Sequence, residues 1–295
     1  MSTITLTFSE CVENQKGMEM IGKKAEKGFT NKDLEKIKEK LNKEKYVCEL
    51  INLNDEIKNE DDADETEKAS LLIIRNAISF ADELKKEQDT LDVDKKALMR
   101  KRVVNKKARY NLCFSDISQE PNYEKGKGRI YSFDELPFLK RLREEMFSFL
   151  ENKKAENLKA EGNYYYDVNK CYIGWHGDTE RSKVIGVRLG SSFPLSYNWY
   201  RKSKRVGNVI SRVLNHGDMY IMSEKAVGND WLKKNTLTLR HSAGILSLKE
   251  LKEKVKKVKK VISSSDDSSD SSDSSNDSSN DSSDDSSDDS SDDEC

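Results

Sequence analysis

The segment KVIGVRLG at residues 183–190 reads as a strand, because β-branched and other apolar residues surround one glycine and a second glycine ends the run. Three similar segments flank it: GNYYYDV at 162–168, GDMYIM at 217–222 and NTLTLRH at 235–241. Short apolar runs separated by turn residues are spaced like the strands of a sandwich or barrel. We therefore predict a β-rich domain over residues 101–247, where all three histidines of the chain lie.

The first hundred residues have a mixed pattern. Alternating apolar residues at 4–8 predict a strand, helical spacing predicts a helix over 30–45, and apolar runs at 48–53 and 71–74 predict two more strands. No glycine-rich phosphate loop follows these strands, so the pattern suggests no chemistry. We expect residues 1–100 to form a small α/β N-terminal domain of unknown role, either structural or for partner docking.

The C-terminal residues are strongly biased in composition. Residues 263–295 repeat Ser-Ser-Asp and carry 13 acids and no base, which predicts a disordered acidic tail. The whole chain has 52 bases and 54 acids, so the rest has 52 against 41 and a net charge of about +11. Residues 248–262 predict a short basic amphipathic helix. The tail is a kinase substrate, a shield for the basic body, a handle for basic protein partners, or an expansion without function.

The sequence gives no sign of export. No apolar run approaches the roughly 18 residues that span a bilayer, and the start lacks a signal-peptide layout. The five cysteines are scattered and form no CxxC pair, which argues against a disulfide framework and a zinc site. We expect an intracellular monomer without membrane association, cytoplasmic or nuclear. The lysines of 256–260 fit either a nuclear signal or a helix face.

His176 and Asp178 are the first candidates for chemistry. Residues two apart on a strand point to the same face, so both side chains can converge on one metal ion. Nitrogen and carboxylate ligands suit Fe(II), and one more histidine would complete a facial triad with open positions. Alone, a His-x-Asp pair is more often a surface turn with an ion pair than a metal site.

A series of further segments accompanies this pair in a fixed order. They are Ala108–Asn111, Gly128–Phe133 before a proline-led helix at 137–150, Asn163–Tyr166, Ile173–Arg181, Val187–Gly190, His216–Asp218 and Asn235–Arg240. Together they make residues 107–244 resemble the AlkB-like Fe(II)/2-oxoglutarate dioxygenases, which are oxidative nucleic-acid demethylases. The resemblance covers about half of the chain.

The resemblance implies an α+β protein built on a double-stranded β-helix, a jelly-roll barrel that holds Fe(II) and 2-oxoglutarate. It matches Tyr166 to a tyrosine that contacts the co-substrate and Arg240 to the family's final arginine. Lys234 falls where the family usually has another arginine. The family's asparagine, two residues before the tyrosine, is here Tyr164, so Asn163 can serve only in a shifted register.

The third metal ligand is His241 in our prediction, since His216 matches a histidine that is not a ligand. In one regular strand, Arg240 and His241 would point to opposite faces. Either a bulge brings them together, or His241 binds iron while another cation such as Arg188 holds 2-oxoglutarate. In the remaining layout, Arg240 holds the co-substrate, and Asp230 or water completes the metal site.

The resulting hypothesis is an oxidoreductase that demethylates alkylated DNA or RNA bases, as in DNA repair. Its substrate base would leave the stack to enter the pocket, and aromatic and basic residues would surround the mouth. Candidates for the mouth are Arg109, Tyr110, Tyr123, Lys125 and the cluster at 197–205. Two alternatives stay open: the same cofactors with a protein or small-molecule substrate, and a non-catalytic nucleic-acid-binding barrel with a lapsed metal site.

Overall fold

The computed structural model describes residues 1–60 and 65–244, and these residues form a mixed α+β structure made mostly of strands. Its strands are β1 (Thr3–Ser9), β2 (Cys11–Glu13), β3 (Met20–Gly22), β4 (Cys48–Asn52), β5 (Ser70–Ile74), β6 (Lys96–Met99), β7 (Arg102–Asn105), β8 (Tyr110–Ser115), β9 (Ile130–Ser132), β10 (Lys159–Tyr165), β11 (Tyr172–His176), β12 (Val184–Gly190), β13 (Phe193–Arg201), β14 (Lys204–Leu214), β15 (Met219–Met222) and β16 (Thr238–Gly244). Its α-helices are α1 (Asn31–Lys43), α2 (Ala81–Asp89), α3 (Pro137–Leu150) and the short α4 (Glu224–Val227).

Two sheets contain most of the strands. The large sheet has the order β4-β5-β15-β12-β1-β10-β8-β9, and the small sheet has the order β11-β16-β13-β14. Neighbouring strands are antiparallel except β8 and β9. Two hairpins, β2–β3 and β6–β7, stand apart from both sheets.

Helix α1 forms for local reasons that the sequence shows. Thr30 caps its N-terminus: the backbone N–H of Asp33 donates to the Thr30 hydroxyl, and the N–H of Thr30 donates to the Asp33 carboxylate. Leu34, Ile37 and Leu41 recur at helical spacing and are buried. The predicted helix is confirmed.

The helices cover one face of the large sheet. Ile4, Leu6 and Phe8 of β1 point to this face and share one apolar core with the buried residues of α1 and α3. The opposite face packs on the small sheet, where Ile73 and Tyr220 meet Tyr197, Trp199 and Leu239 and other apolar residues. The described residues therefore form three layers: the helices, the large sheet and the small sheet.

We had expected a domain boundary near residue 100, but the described residues do not divide there. Strand β1 lies in the middle of the large sheet, hydrogen-bonded to β12 on one side and β10 on the other. Strands β4 and β5 extend the same sheet through β15. All described residues consequently belong to one compact unit. Alternation along β1 marks a strand, but it does not reveal which distant strands supply its hydrogen bonds.

Several expectations fall on residues that the structure does not describe. The basic helix at 248–262 and the acidic tail at 263–295 lie outside the described residues, as do residues 61–64 of the acidic loop. Within the described ranges, no helix has the length and apolar character needed to cross a membrane.

We expect Leu6→Ala to lower the free energy of unfolding by roughly 2–5 kcal/mol, because it empties a fully buried position in the central strand. The same change should shift the fluorescence transition of all three tryptophans, which lie between residues 175 and 231. Urea unfolding followed by fluorescence measures both. Val47→Ala, at a side chain that is 69% exposed, is the control and should change little. If Leu6→Ala left the urea midpoint of the tryptophan transition unchanged, the N-terminal residues would unfold independently of the rest.

Candidate metal centre

Strands β11 and β16 bring the two distant histidines together. They pair antiparallel, and His176 at the end of β11 lies opposite His241. A register shift between Ile173 and His176 adds a residue to β11, so the bulge lies there. The register of β16 against β13 is continuous, with Tyr197 opposite His241. His241 is thus placed by regular pairing and His176 by the bulge.

His176, Asp178 and His241 form one compact cluster. Their nearest ligand atoms all lie within 4.8 Å of one another. The Asp178 Oδ1 atom lies 3.5 Å from His176 Nε2 and 3.8 Å from His241 Nε2. Gly177 permits this turn, since a Cβ there would lie 2.2 Å from the Gly228 carbonyl oxygen. The Asp178 N–H donates to the Val227 carbonyl and fixes the turn from the other side.

The protonation of the histidines suits metal binding. Burial lowers the pKa of His241 well below its usual value, and the charges of His176 and Arg181 add to this effect. Its imidazole is therefore neutral at physiological pH. The Nδ1 atom of His176 lies 2.7 Å from the Gly174 carbonyl oxygen; a proton on Nδ1 leaves the lone pair of Nε2 directed at the cluster.

Arg181 connects the cluster to two further carboxylates. Its guanidinium lies 2.8 Å from Glu161 and from Glu180, and its Nε lies 3.7 Å from Asp178 Oδ2. Three carboxylates against one guanidinium leave a formal charge of −2 beside two histidines. Glu161 is buried and Asp178 and Glu180 are partly buried, so this charge is only partly solvated, and one divalent cation at the cluster would compensate it.

Arg188 is a second cation between the sheets, and it is 1% exposed. One Nη atom donates to the Thr5 hydroxyl, while Nε has no hydrogen-bond partner. Within residues 1–60 and 65–244, no carboxylate forms an ion pair with it. Burial lowers the pKa of Arg188, and the neighbouring tyrosines Tyr165 and Tyr220 partly offset that effect. A buried guanidinium with an unused donor is prepared for an anionic ligand.

Tyr165, rather than Tyr166, faces this interior. Its ring packs against Phe193 and lies 6.0 Å from the Arg188 guanidinium, and its hydroxyl hydrogen-bonds to Thr5. Tyr166 is 43% exposed and donates to the carbonyl of Lys107. Because side chains alternate along β10, the shift also turns Asn163 inward. Asn163 and Tyr165 thus share the interior face of β10, whereas Tyr166, the residue that we had predicted to contact the co-substrate, does not face it.

Arg240 and Lys234 lie away from the cluster, in contrast to our expectation. Arg240 points to the outer face of the small sheet, with its guanidinium 4.1 Å from the centre of the Tyr200 ring and 5.0 Å from that of Trp231. Lys234 is exposed in the preceding turn. The continuous register of β16 gives Arg240 and His241 opposite faces. Asp230, the alternative third ligand, instead accepts a hydrogen bond from Lys225.

The predicted mouth residues separate into different environments. Tyr197 and Trp199 are buried between the sheets, whereas Tyr200 points to the opposite face of β13, where it lies beside Trp175 and Arg240 and is 6% exposed. Arg109 donates to Asn163, and Tyr123 donates to Asp94, so both serve the polar interior. On the outer side, cations and rings alternate in one series: Arg205, Trp175, Tyr200, Arg240, Trp231 and Lys16.

Sequence reasoning missed Arg181, Glu161, Trp231 and Tyr165. Glu161, Asn163 and Tyr165 occupy alternate positions of one strand, between Ala160, Gly162 and Tyr164. This alternation of polar and apolar residues is a signal of a strand with one polar, buried face. Arg181 had no such signal, because a charged run such as Asp-Thr-Glu-Arg is typical of an exposed turn.

We expect the chain to bind one Mn(II) or Co(II) ion, and His176→Ala, Asp178→Ala and His241→Ala each to abolish binding. Loss of a ligand should lower the metal affinity by more than the roughly 10- to 100-fold that is typical when an outer hydrogen-bond partner of a ligand is lost. Titration of Mn(II), followed by the magnetic resonance signal of the free ion, measures the affinity. His216→Ala is the control, because the His216 ring contacts other groups: its Nε2 lies 3.2 Å from Asp82 Oδ1, and its Nδ1 accepts from the Gly190 N–H. Unchanged binding in any of the three variants would remove that residue from the site.

Comparisons with known proteins give one close relative and no family description. No family model matches the chain. A protein of Acanthamoeba polyphaga mimivirus, named uncharacterized protein R156, is 49% identical over 245 residues. The match covers 82% of this chain and 95% of the viral protein. The chain therefore belongs to the same protein family as uncharacterized protein R156 of the mimivirus.

Proposed function

We propose that the protein is a dioxygenase dependent on Fe(II) and 2-oxoglutarate, of AlkB-like type, that acts on alkylated bases of DNA or RNA. The observation that carries the proposal is the convergence of His176, Asp178 and His241 between the two sheets. Two nitrogens and one carboxylate are the ligand set of iron sites that leave coordination positions open.

The order of the strands supports a jelly-roll barrel. From β10 to β16 the chain passes from the large sheet to the small one and back repeatedly: β10, β12 and β15 lie in the large sheet, and β11, β13, β14 and β16 in the small one. Two facing sheets wound in this way are the jelly-roll pattern, which uses eight strands. These seven strands need one more, and β1 supplies it between β12 and β10.

The electrostatics of the site fit a divalent cation. The two imidazoles offer ring nitrogens, of which burial keeps that of His241 neutral, and the carboxylates around Arg181 leave a formal charge of −2. The His241 Nδ1 atom is buried and has no hydrogen-bond partner, so the ring is free to tilt toward a metal. His176, Asp178 and His241 would hold the ion.

Arg188, Tyr165 and Asn163 would hold 2-oxoglutarate. A dianion in a dry interior needs a cation, and Arg188 is a buried cation without a carboxylate partner among the described residues. It lies beside Tyr165 and Phe193, which pack against Ala243. Ala243 and His241 point to the same face of β16, two residues or about 7 Å apart. The cation and the metal cluster thus belong to one interior.

When bound, iron and 2-oxoglutarate would supply dioxygen activation and the two electrons for oxidising a C–H bond of the substrate. The residues of this chain bind and orient. The Gly174 carbonyl fixes the ring of His176, and Arg181 meets the carboxylate of Asp178. Tyr197, Trp199 and Leu239 line the interior and keep it dry, which strengthens every charge interaction within it.

A nucleic-acid substrate is supported by the alternating cations and rings on the outer face. Bases stack on aromatic rings and phosphates pair with cations, so a series of both fits a strand of nucleic acid. Trp175 directly precedes His176 in β11, and Arg240 directly precedes His241 in β16. The series therefore runs along the same strands as the metal cluster, and the basic charge of the chain outside its tail favours the same class of ligand.

The two alternatives differ in how they meet these observations. A protein or small-molecule substrate is compatible with the same cluster. A non-catalytic barrel with a lapsed metal site fits less well with a cluster that still offers two imidazoles and a carboxylate within 4.8 Å of one another.

We expect Arg188→Met to weaken 2-oxoglutarate binding by roughly 10- to 100-fold, as for loss of a charged hydrogen bond worth about 1.5–3 kcal/mol. Metal affinity should stay unchanged. The apo protein should become no less stable, because methionine replaces a buried unpaired charge with an apolar chain. Anaerobic titration with Fe(II) and 2-oxoglutarate, read by the weak visible charge-transfer band, measures this.

Arg240→Met is the matched control for that experiment, and it should leave the band and the co-substrate affinity as they are. A larger loss in Arg240→Met than in Arg188→Met would transfer the anchor to Arg240. A wild-type protein that binds metal but shows no band with 2-oxoglutarate would contradict the proposed co-substrate.

We expect oligonucleotides with N-methylated bases to stimulate succinate release from 2-oxoglutarate, and methylated peptides not to do so. Trp231→Ala should weaken oligonucleotide binding by about 1–3 kcal/mol, the usual value of one base stacked on a ring. Succinate assay and fluorescence anisotropy measure the two effects. Phe147→Ala, on α3 in the helical layer, is the control. Stimulation by peptides alone would favour the protein-substrate alternative.

A further inference from the structure

Arg181 occupies a position between the metal cluster and the large sheet. Both its side chain and that of its partner Glu161 are less than one-tenth exposed. The pair is therefore cut off from water, and each group depends on the other for compensation of its charge. Such a pair either only connects two parts of the fold or also orients a third group in contact with it, which here is Asp178.

The two oxygens of Asp178 have different surroundings. Oδ1 faces the Nε2 atoms of His176 and His241, at 3.5 and 3.8 Å. Oδ2 faces Nε of Arg181 at 3.7 Å. A carboxylate whose second oxygen is drawn to a guanidinium offers only its first oxygen to a metal. The arrangement selects one-oxygen ligation and sets the rotation of the carboxylate.

Arg181 is itself held from the sheet. Its Nη2 atom donates to Glu161 Oε2 at 2.8 Å, and the other oxygen of Glu161 accepts from Asn163 at 3.1 Å. Asn163 in turn accepts from Arg109 and Asn111. Hydrogen bonds thus lead from β8 and β10 to Arg181, and an ion-pair contact of 3.7 Å, longer than a hydrogen bond, joins Arg181 to the ligand carboxylate. None of these bonds requires a metal to form.

The guanidinium group suits this place and an ammonium group does not. Its planar fork donates to Glu161 from Nη2 and to Glu180 from Nε, and the same Nε lies 3.7 Å from Asp178 Oδ2. A lysine would bring the same charge as a point on a flexible stem, without the fixed angles between the donors. Exchanging arginine for lysine at position 181 therefore tests the geometry of the donors while the positive charge is kept.

We propose that Arg181, held by Glu161, is the positioning residue that fixes Asp178 for one-oxygen ligation of the metal. The inference rests on the proposed metal site and adds to it the residues that determine its affinity. Outer partners that orient a ligand are typically worth 10- to 100-fold in metal affinity.

Arg181→Lys is the decisive variant, because it keeps the charge and removes the fork. We expect it to weaken Mn(II) and Co(II) binding by roughly 10- to 100-fold and to alter the visible spectrum of bound Co(II), which reports ligand geometry. Arg75→Lys is the matched control: Arg75 also bridges two carboxylates, Asp218 and Glu49, but far along the sheet from the cluster. It should leave metal affinity unchanged. Thermal unfolding of each apo protein shows whether the fold is kept.

Glu161→Gln gives a second and independent test. Glu161 accepts from Arg181 with one oxygen and from Asn163 with the other. Glutamine in the same position replaces one of these oxygens with an NH2 group, which would face a donor, and it also removes the negative charge. Metal affinity should fall in this variant too. If Glu161 acts through Arg181, the double variant should lose less than the product of the two single losses.

The outcomes separate the inference from the proposed function. A wild-type protein that binds neither Mn(II) nor Co(II) at the cluster would overturn the proposed function. A wild-type protein that binds metal, with Arg181→Lys equal to it in affinity and in the Co(II) spectrum, would overturn the inference alone. Independent losses in the Arg181 and Glu161 variants would likewise overturn the link between them.

Discussion

Strand β1 depends on hydrogen bonds along both of its edges, and the rest of the structure depends on β1. Its backbone pairs with β10 over seven residues and with β12 over six. Side chains at alternate positions serve opposite layers: Ile4, Leu6 and Phe8 pack under the helices, while Thr5 and Thr7 face the interior. Without this strand, β10 and β12 would each have an open edge, and the interior would lose one wall.

The interior is unusual in the number of charges that it buries. Asp178, Glu161, Arg181 and Arg188 all lie between the sheets or at their margin, where each charge costs free energy unless another group compensates it. The carboxylates outnumber the guanidinium near the histidines, while Arg188 forms no ion pair with a carboxylate among residues 1–60 and 65–244. The two imbalances have opposite signs, and a divalent cation and a small dianion are the ligands that would compensate them.

The same logic explains why hydroxyl and amide groups line the large sheet here. Thr5 accepts from Arg188, and Asn163 links Glu161 to Arg109 and Asn111. Each of these uncharged groups fixes the direction of a charged one without adding charge of its own. A rigid polar interior of this kind holds ligand atoms in place before any ligand arrives, which is the condition for tight and specific binding.

The sequence by itself determined the local elements and half of the site. Helical spacing and the Thr30 cap specified α1, and period-two alternation specified β1. The His-x-Asp spacing brought two candidate metal ligands together at the end of β11, with His176 as its last residue and Asp178 just beyond it. These features depend on neighbours within a few residues, so local physics decides them. Tertiary structure alone decided which strands pair with β1 and that His241 lies opposite His176. It also decided that Arg181 and Arg188 are buried in the interior. Tertiary structure likewise decided which of the tyrosines at 164–166 faces the interior, since three identical residues in a row do not indicate which of them points to which face of the strand. Each of these outcomes depends on pairing between strands distant in sequence, which is set by the burial of the whole sheet and not by any single segment.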